Sequence, residues 1–253
     1  MEFFDTHSHY NDEKFDIDRE KLIEDTYNDG VTRFMCIGYN VEKSEFALEI
    51  AKKHDYMYAT CGISPNDTYD FSIENLLKIE EMGKEEKIRA IGEIGLDYYW
   101  NKDNKELQKE YFIKQIEIAN RLDKPIVIHT RDAFIDTIDI LKKHKVNKTG
   151  IFHCCPLNQE LIKEGLKLGF YISFSGNITF KNAKSEGCIN LVPMDKILIE
   201  TDSPYLTPEP FRGKRNDSRF VRYVAQRIAD VKGLPIEEVA RQTYINGNKV
   251  YNL

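Results

Sequence analysis

The sequence contains no hydrophobic run that approaches the roughly 18 residues needed to cross a bilayer. Its first residues are acidic and lead straight into a strand-like segment, without the basic region that precedes the apolar part of a secretory signal. Cysteine is scarce: there are 5 residues, an odd number, without Cys-x-x-Cys spacing. These absences predict a cytoplasmic protein with reduced thiols, no membrane attachment and no obligate protein partner.

Positive charge is also in deficit. The 253 residues include 36 lysines and arginines against 42 aspartates and glutamates, which gives a formal net charge of −6. That is the wrong overall sign for a protein that coats nucleic acid, so an anionic substrate would need a local positive feature. Hydrophobic residues make up 41% and charged residues 31% of the chain, which excludes a disordered or fibrous protein.

Short apolar runs recur along the chain and predict eight β-strands, at residues 3–9, 33–39, 57–63, 88–94, 125–129, 150–154, 170–175 and 196–201. Segments with helical spacing lie between them, notably 73–85, 105–122 and 133–144, and 235–250 predicts a last helix on the outer ring. Alternating strands and helices predict a parallel sheet. Eight such units over residues 1–253 match an α/β fold, a single-domain (β/α)8 TIM barrel. An open doubly wound sheet is the alternative, but no G-x-G-x-x-G or phosphate-loop motif follows a strand.

Ionisable side chains gather at the carboxyl ends of the predicted strands, where a barrel of this type builds its active site. His7 and His9 close the first strand and share one face, because strand side chains alternate. The later strand ends carry, in chain order, Glu93, His129, His153 and Asp202. A single histidine in such a place is usually a hydrogen-bonded core residue. Six polar groups at one rim have no packing explanation, since burying each without a partner costs roughly 2–7 kcal/mol, so we predict a metal site formed by these six residues.

Four other ionisable residues are left out of this predicted ligand set. Asp5 and Glu200 share the strand faces of predicted ligands but sit deeper, so we expect buried, hydrogen-bonded acceptors. His54 and His144 lie at the ends of helical segments, where an imidazolium favours the negative end of the helix dipole, and we expect structural roles for both.

The motifs that carry these residues resemble the TatD family of metal-dependent hydrolases, within the wider group of amidohydrolase-like barrels. The resemblance covers nearly the whole chain, and its most specific parts are Gly-Glu-Ile-Gly-Leu-Asp-Tyr at 92–98 and Glu-Thr-Asp-Ser-Pro-Tyr-Leu at 200–206. It implies two divalent ions with a bridging carboxylate. The implied ligands are His7, His9, Glu93 and Asp202 for one ion, and Glu93, His129 and His153 for the other. It also implies DNA as the substrate, with phosphodiester hydrolysis often from the 3′ end.

Two segments depart from the family pattern. After the third strand the family commonly has Gly-[Ile/Val]-His-Pro-His, whereas residues 62–66 read Gly-Ile-Ser-Pro-Asn. After the sixth strand the family often has His-x-Phe-Ser-Gly, whereas residues 153–157 read His-Cys-Cys-Pro-Leu. All six predicted ligands are retained, so these departures bear on substrate contact, rate and specificity.

Two divalent ions opposed by the carboxylates of Glu93 and Asp202 would leave a charge of about +2, because ligating histidines are neutral. Such a site would attract a phosphodiester and lower the pKa of a bound water towards ~7 from ~15.7. We predict that Asp202 positions this water and takes its proton as a general base. Mixed imidazole and carboxylate ligands suit Zn, Mn, Fe, Co or Ni, with Mg suited to a carboxylate-rich position.

Four residues are predicted to contact the substrate: Ser64, Arg131, Arg212 and Lys214. The basic segment 211–215 follows two prolines and is expected in a loop at the same rim, where it would clamp DNA phosphates; a solvated basic turn is the alternative. Arg131 is a candidate contact of the reacting phosphate, unless it forms a salt bridge to Asp97. Ser64 would donate a weaker hydrogen bond where the family has histidine.

Two other functions are considered. The first is a metal-dependent ester or amide hydrolase, such as a D-aminoacyl-tRNA deacylase. Many binuclear amide hydrolases of this barrel type bridge their metals with a carboxylated lysine on strand four or five, and the absence of lysine at the end of strand five favours phosphoester chemistry. The second is a binding module with a structural metal, which Ser64 and Asn66 support. Six ligands for two ions would leave open positions for water, which argues for catalysis.

Overall fold

Eight parallel strands stand side by side in chain order and curl into a barrel. The computed structural model describes residues 1–69 and 72–253. A parallel bridge between Ser8 and Ser203 brings the segment after the last strand against the first. The Asp202 N–H donates to the His7 carbonyl at 2.9 Å and the His9 N–H to the Ser203 carbonyl at 2.8 Å. The predicted (β/α)8 barrel is confirmed.

The strands are β1 (Phe3–Ser8), β2 (Val31–Cys36), β3 (Met57–Cys61), β4 (Ile88–Asp97), β5 (Ile126–Arg131), β6 (Gly150–Phe152), β7 (Tyr171–Phe174) and β8 (Ile197–Ile199). The helices are α1 (Arg19–Asn28), α2 (Val41–Lys53), α3 (Ile73–Met82), α4 (Lys105–Arg121), α5 (Phe134–Lys143), α6 (Gln159–Lys167), α7 (Glu186–Leu191), α8 (Val221–Lys232) and α9 (Ile236–Tyr251). Each predicted strand overlaps an observed one. Among the described residues, no helix is both long and apolar enough to cross a membrane.

Strand ends differ from the prediction at the rim that carries the ionisable residues. β4 continues to Asp97 because residues 94–97 stay paired with β5, with Gly95 opposite His129. β6 and β8 end early, so His153 and Asp202 lie in the segments that follow them. Both segments turn sharply: Asp202 has a φ of 55° and Cys154 a φ of 37°. Sequence periodicity does not detect such turns, because they involve single residues.

The amino end of the barrel is filled, which leaves the carboxyl end for a site. One apolar side chain from each of seven strands points into the interior: Phe4, Met35, Ala90, Val127, Ile151, Tyr171 and Leu198. Val250 and Tyr251 at the end of α9 join this cluster. The Tyr251 hydroxyl donates to the Thr6 carbonyl at 3.0 Å. The predicted last helix therefore closes the base of the barrel as well as packing on its outside.

Two buried glutamines of α4 hold the loops at the carboxyl end. The Gln108 side chain accepts a hydrogen bond from the Asp97 N–H and donates to the Asp97 carbonyl, at 2.8 and 3.0 Å. Gln115 makes the same pair of contacts with Ile63, at 2.7 and 3.0 Å. Each glutamine amide pairs with the N–H and the carbonyl of one residue at the end of a strand or just after it. Helix α4 therefore fixes the position of both segments.

Gly95 allows β4 and β5 to approach each other closely. Its φ is +135°, and a Cβ built there would lie 2.1 Å from the His129 carbonyl oxygen. We expect Gly95→Ala to reduce the free energy of unfolding by about 3 kcal/mol or more, because both the backbone conformation and the contact are unfavourable for alanine. Denaturant unfolding measures this.

Gly169→Ala is the matched control. Gly169 also has a positive φ, +82°, but no other atom lies within 4 Å of the position that a Cβ would take there. The Gly169→Ala substitution should reduce the free energy of unfolding by only about 1–2 kcal/mol. Equal losses of unfolding free energy in the two variants would show that the close approach of β4 and β5 at Gly95 does not add to the cost of an alanine there.

Candidate metal centre

Four donor atoms from three strand ends converge at the carboxyl end of the barrel. The Nε2 atoms of His7 and His9 are 3.2 Å apart. Glu93 Oε2 lies 3.5 Å from His7 Nε2, and Asp202 Oδ1 lies 3.5 and 3.3 Å from the two imidazole nitrogens. Ligand atoms around one ion at bond lengths of about 2.0–2.2 Å are separated by roughly 3–4 Å. This spacing fits a single divalent ion.

A second cluster uses the other oxygen of Glu93. His129 Nδ1 lies 3.0 Å from Glu93 Oε1, and His153 Nε2 lies 3.5 Å from the same oxygen. The two imidazole nitrogens are 3.2 Å apart. Glu93 is therefore the residue that both clusters share, and each of its oxygens faces one of them.

The donor set is suited to binding a cation. The His7 and His9 nitrogens face each other and two carboxylate oxygens, and a proton can satisfy only one of these contacts at a time. Burial opposes ionisation of Glu93, but the His153 charge and hydrogen bonds from the histidines outweigh it and hold the pKa of Glu93 well below its usual range. Burial likewise opposes ionisation of Asp202, yet the hydrogen bond with His9 and the nearby imidazoles lower the pKa of Asp202. Two buried carboxylates beside four imidazoles form a donor set that suits a divalent ion.

Asp97 orients one of the histidines. His129 Nε2 lies 2.9 Å from Asp97 Oδ2, which leaves Nδ1 to face Glu93. The other Asp97 oxygen accepts the backbone N–H groups of Tyr99 and Trp100, both at 2.9 Å. A carboxylate behind a metal-binding histidine sets its ring orientation and tautomer, and Asp97 is placed to do so.

Glu200 stands behind His153. Its Oε1 lies 3.4 Å from His153 Nδ1 and accepts the Cys154 N–H at 2.7 Å. His7, His153 and Glu200 also have donor atoms within 4.8 Å of one another, so the cavity floor offers a third grouping. The contact of Glu200 with His153 Nδ1, opposite the Nε2 that faces Glu93, favours an orienting role.

Asp5 lies beside the cluster without joining it. Its carboxylate accepts hydrogen bonds from the Thr201 N–H, at 2.9 Å, and from the Thr201 hydroxyl. Burial raises the pKa of Asp5 to about 7. The expected buried acceptor is present, and it connects β1 to the residues after β8.

The two clusters open into a cleft of about 720 Å³. His9, Glu93, His129, His153 and Asp202 line its base, and the upper wall includes Asn66, Trp100, Arg131, Cys154, Asn177 and Tyr205. The six predicted ligands are thus brought together, five of them on the cleft surface and His7 buried behind it.

The four predicted substrate contacts are placed unequally. Arg131 lines the cleft, and its guanidinium lies 3.9 Å from the centre of the Tyr99 ring instead of pairing with Asp97. Ser64 lines a smaller adjoining pocket and donates to Asp67 Oδ2 at 2.8 Å. Arg212 lies 3.7 Å from the centre of the Phe180 ring and Lys214 5.2 Å from that of Phe211. Neither of these two is among the residues that line the cleft.

Several residues in or behind the cleft were not predicted from the sequence to belong to the site. Asp97 lies within the run at 92–98, and its place two residues after Gly95 on a continuing strand was the available signal. Tyr205 lies within the motif at 200–206, and Trp100 is the second residue after the motif at 92–98. Asn177 lies in a short 3-10 helix after β7, and no pattern in the sequence marked it.

A TIM barrel whose carboxyl rim collects imidazole and carboxylate groups is typical of metal-dependent hydrolases. The family model for TatD related DNases matches residues 4–252. The chain is 42% identical over 252 residues to the uncharacterized metal-dependent hydrolase YabD of Bacillus subtilis strain 168, and the alignment covers 99% of each. The uncharacterized metal-dependent hydrolase YcfH of Escherichia coli K12 is 42% identical over 210 residues, which cover 81% of this chain and 77% of the relative.

A solved relative has the same fold. The crystal structure of YJJV, a TatD homologue from Escherichia coli K12, superposes with a TM-score of 0.94 at 26% identity and covers 99% of this chain and 98% of its own. The chain therefore belongs to the TatD family of metal-dependent hydrolases, as its motifs suggested.

The shared carboxylate distinguishes Glu93 from the other ligands. We expect Glu93→Ala to lose most bound metal, because its two oxygens face both clusters, and His129→Ala to lose a smaller part, because His129 faces one. Elemental analysis after dialysis against Zn²⁺ or Mn²⁺ gives the metal-to-protein ratio.

His144→Ala is the control, since His144 ends α5 away from the cleft. Its metal content should match that of the unaltered chain. Equal metal content in all four proteins would exclude these residues as ligands.

Proposed function

We propose that this protein hydrolyses phosphodiester bonds of DNA as a divalent-metal-dependent deoxyribonuclease, acting as an exonuclease with two ions at the site. The observation that carries the proposal is the division of Glu93 between two donor clusters about the same buried carboxylate. Two ions held this way would stabilise the charge of a phosphodiester and lower the pKa of water at the site. The family description as related DNases supports the choice of DNA.

Asp202 is the residue we assign as general base. Its carboxylate lines the cleft, and one oxygen contacts the nitrogens of His7 and His9. A carboxylate is ionised near neutral pH and can accept a proton from a water held beside it. Asp97 and Glu200 contact His129 and His153 from behind, and neither lines the cleft.

The alternative, cleavage of an ester or amide such as D-aminoacyl-tRNA, uses the same donor atoms. The end of β5, Ile126–Arg131, presents a histidine and an arginine where a carboxylated lysine would bridge ions in many amide hydrolases. Arg131 in the cleft wall adds a cation suited to a phosphate.

A panel of substrates tests the assignment. We expect oligodeoxynucleotides to be cleaved with Mn²⁺, Zn²⁺ or Mg²⁺, and a D-aminoacyl-tRNA to stay intact. Deacylation without nuclease activity would establish the alternative. Stoichiometric metal binding without hydrolysis of any ester would indicate a binding module.

Asp202→Asn should lower kcat for the oligonucleotide by about 10²–10⁴-fold, because an amide cannot take the proton. The thermal midpoint should change little, since the amide retains the shape of the carboxylate. Asp139→Asn, an exposed position on α5, is the control and should keep full activity. Full activity in Asp202→Asn would rule out the general-base role.

The basic segment 211–215 remains a candidate clamp on DNA outside the cleft. Lys214→Ala should raise KM and reduce the slope of log binding constant against log salt by about 0.7–0.9, the loss of one phosphate contact. Lys167→Ala, at the end of α6, removes an exposed lysine paired with Glu164 and should leave the slope unchanged. An unchanged slope in Lys214→Ala would identify the segment as a solvated turn.

A further inference from the structure

Trp100 is exposed beside the metal centre. It is the single tryptophan of the chain, 65% of its surface is accessible, and it lines the same cleft as Glu93 and Asp202. A large aromatic ring gains more from burial than any other kind of side chain. An exposed indole in the same cleft as the predicted metal ligands is therefore available to contact a bound ligand.

The backbone that carries this indole shares a hydrogen-bond partner with one of the predicted metal ligands. The backbone N–H of Trp100 donates to Asp97 Oδ1 at 2.9 Å, while Asp97 Oδ2 lies 2.9 Å from His129 Nε2. Asp97 is fully buried, so it fixes the backbone of Trp100 and the imidazole of His129 together. Asp97 thereby links the loop that carries the indole to an imidazole of the second cluster.

A cation stands next to the aromatic surface. The Arg131 guanidinium lies 3.9 Å from the centre of the Tyr99 ring and 5.5 Å from that of Trp100. Among the described residues it has no carboxylate partner, which leaves its N–H groups free for an anion. Exposed aromatic rings next to arginine are the combination that binds single-stranded nucleic acid, by base stacking and phosphate contact.

The opposite wall is also aromatic. Tyr205 follows β8, which lies across the eight-stranded barrel from β4, the strand that precedes Trp100. Its ring is 43% exposed in the cleft, and its hydroxyl donates to Asp12 Oδ2 at 2.7 Å. Paired bases inside a duplex have both faces covered by their neighbours, whereas an unpaired terminal base can present a face to an exposed aromatic ring.

We infer that Trp100 forms a stacking site for an unpaired nucleobase next to the reacting phosphodiester, and that Arg131 binds a phosphate of the same nucleotide. The inference rests on the proposed function and specifies its substrate as a single-stranded end. The site is aromatic and accepts any base, because every base has a stacking face.

Fluorescence tests the stack without turnover, since Trp100 is the chain's one source of indole emission. The probe is a short phosphorothioate-linked single-stranded oligodeoxynucleotide added to the metal-loaded protein. We expect saturable quenching, and little quenching by the same strand with abasic terminal nucleotides. Equal responses to both probes, or no response, would overturn the stacking site.

Kinetics supply an independent measurement. Trp100→Ala should raise KM for a single-stranded end by about 5- to 150-fold, Trp100→Phe should restore most of the loss, and kcat should change little. KM for a strand with abasic ends should be the same with and without the indole. Ile135→Ala removes another exposed apolar side chain, on α5, and should leave KM unchanged.

The two proposals fail in different ways. DNA cleavage with an unchanged KM in Trp100→Ala would overturn the stacking site and leave the nuclease function intact. Base-dependent quenching without cleavage of any oligonucleotide would support the stacking site and overturn the nuclease function. Efficient cleavage of blunt duplex ends at the rate of single strands would also contradict the inference.

Discussion

The site depends on one buried carboxylate that faces four imidazoles. Glu93 lies within 3.0–4.0 Å of nitrogens from His7, His9, His129 and His153, which come from three other strand ends. Burying this charge is unfavourable by itself. It becomes favourable only when cationic partners surround it, so the burial of Glu93 and the binding of metal are parts of one arrangement. The close approach of β4 to β5 at Gly95 brings the carboxylate and His129 together.

The residues that position the predicted ligands are as important to the geometry of the site as the predicted ligands themselves. Asp97 is held by Gln108 through both backbone groups, and its side chain in turn positions His129 and the loop that carries Trp100. A helix on the outside of the barrel thereby reaches the substrate cleft through two hydrogen-bonded steps. Such a chain of contacts explains how an exposed loop can be positioned as accurately as a strand.

Periodicity and motif order carried the prediction a long way. Apolar runs of five to eight residues separated by amphipathic segments were enough for the barrel, because the period of side-chain burial depends on local backbone geometry. His7 and His9 could be paired from their spacing alone, and the other four predicted ligands from their places at strand ends. The basic segment was less informative, since Arg212 and Lys214 pack on Phe180 and Phe211 outside the cleft lining, a partner choice that no spacing rule contains.

The sequence by itself determined the type of fold, the family and the identity of the side chains at the rim, because these follow from patterns within each strand–helix unit. The tertiary structure decided how they meet: which oxygen of Glu93 faces which histidine pair, that Asp97 supports His129 instead of pairing with Arg131, and that Trp100 stands open in the cleft. The physical reason is that each of these contacts joins residues from different units. Their geometry is set by closure of the barrel, which no single segment of the chain encodes.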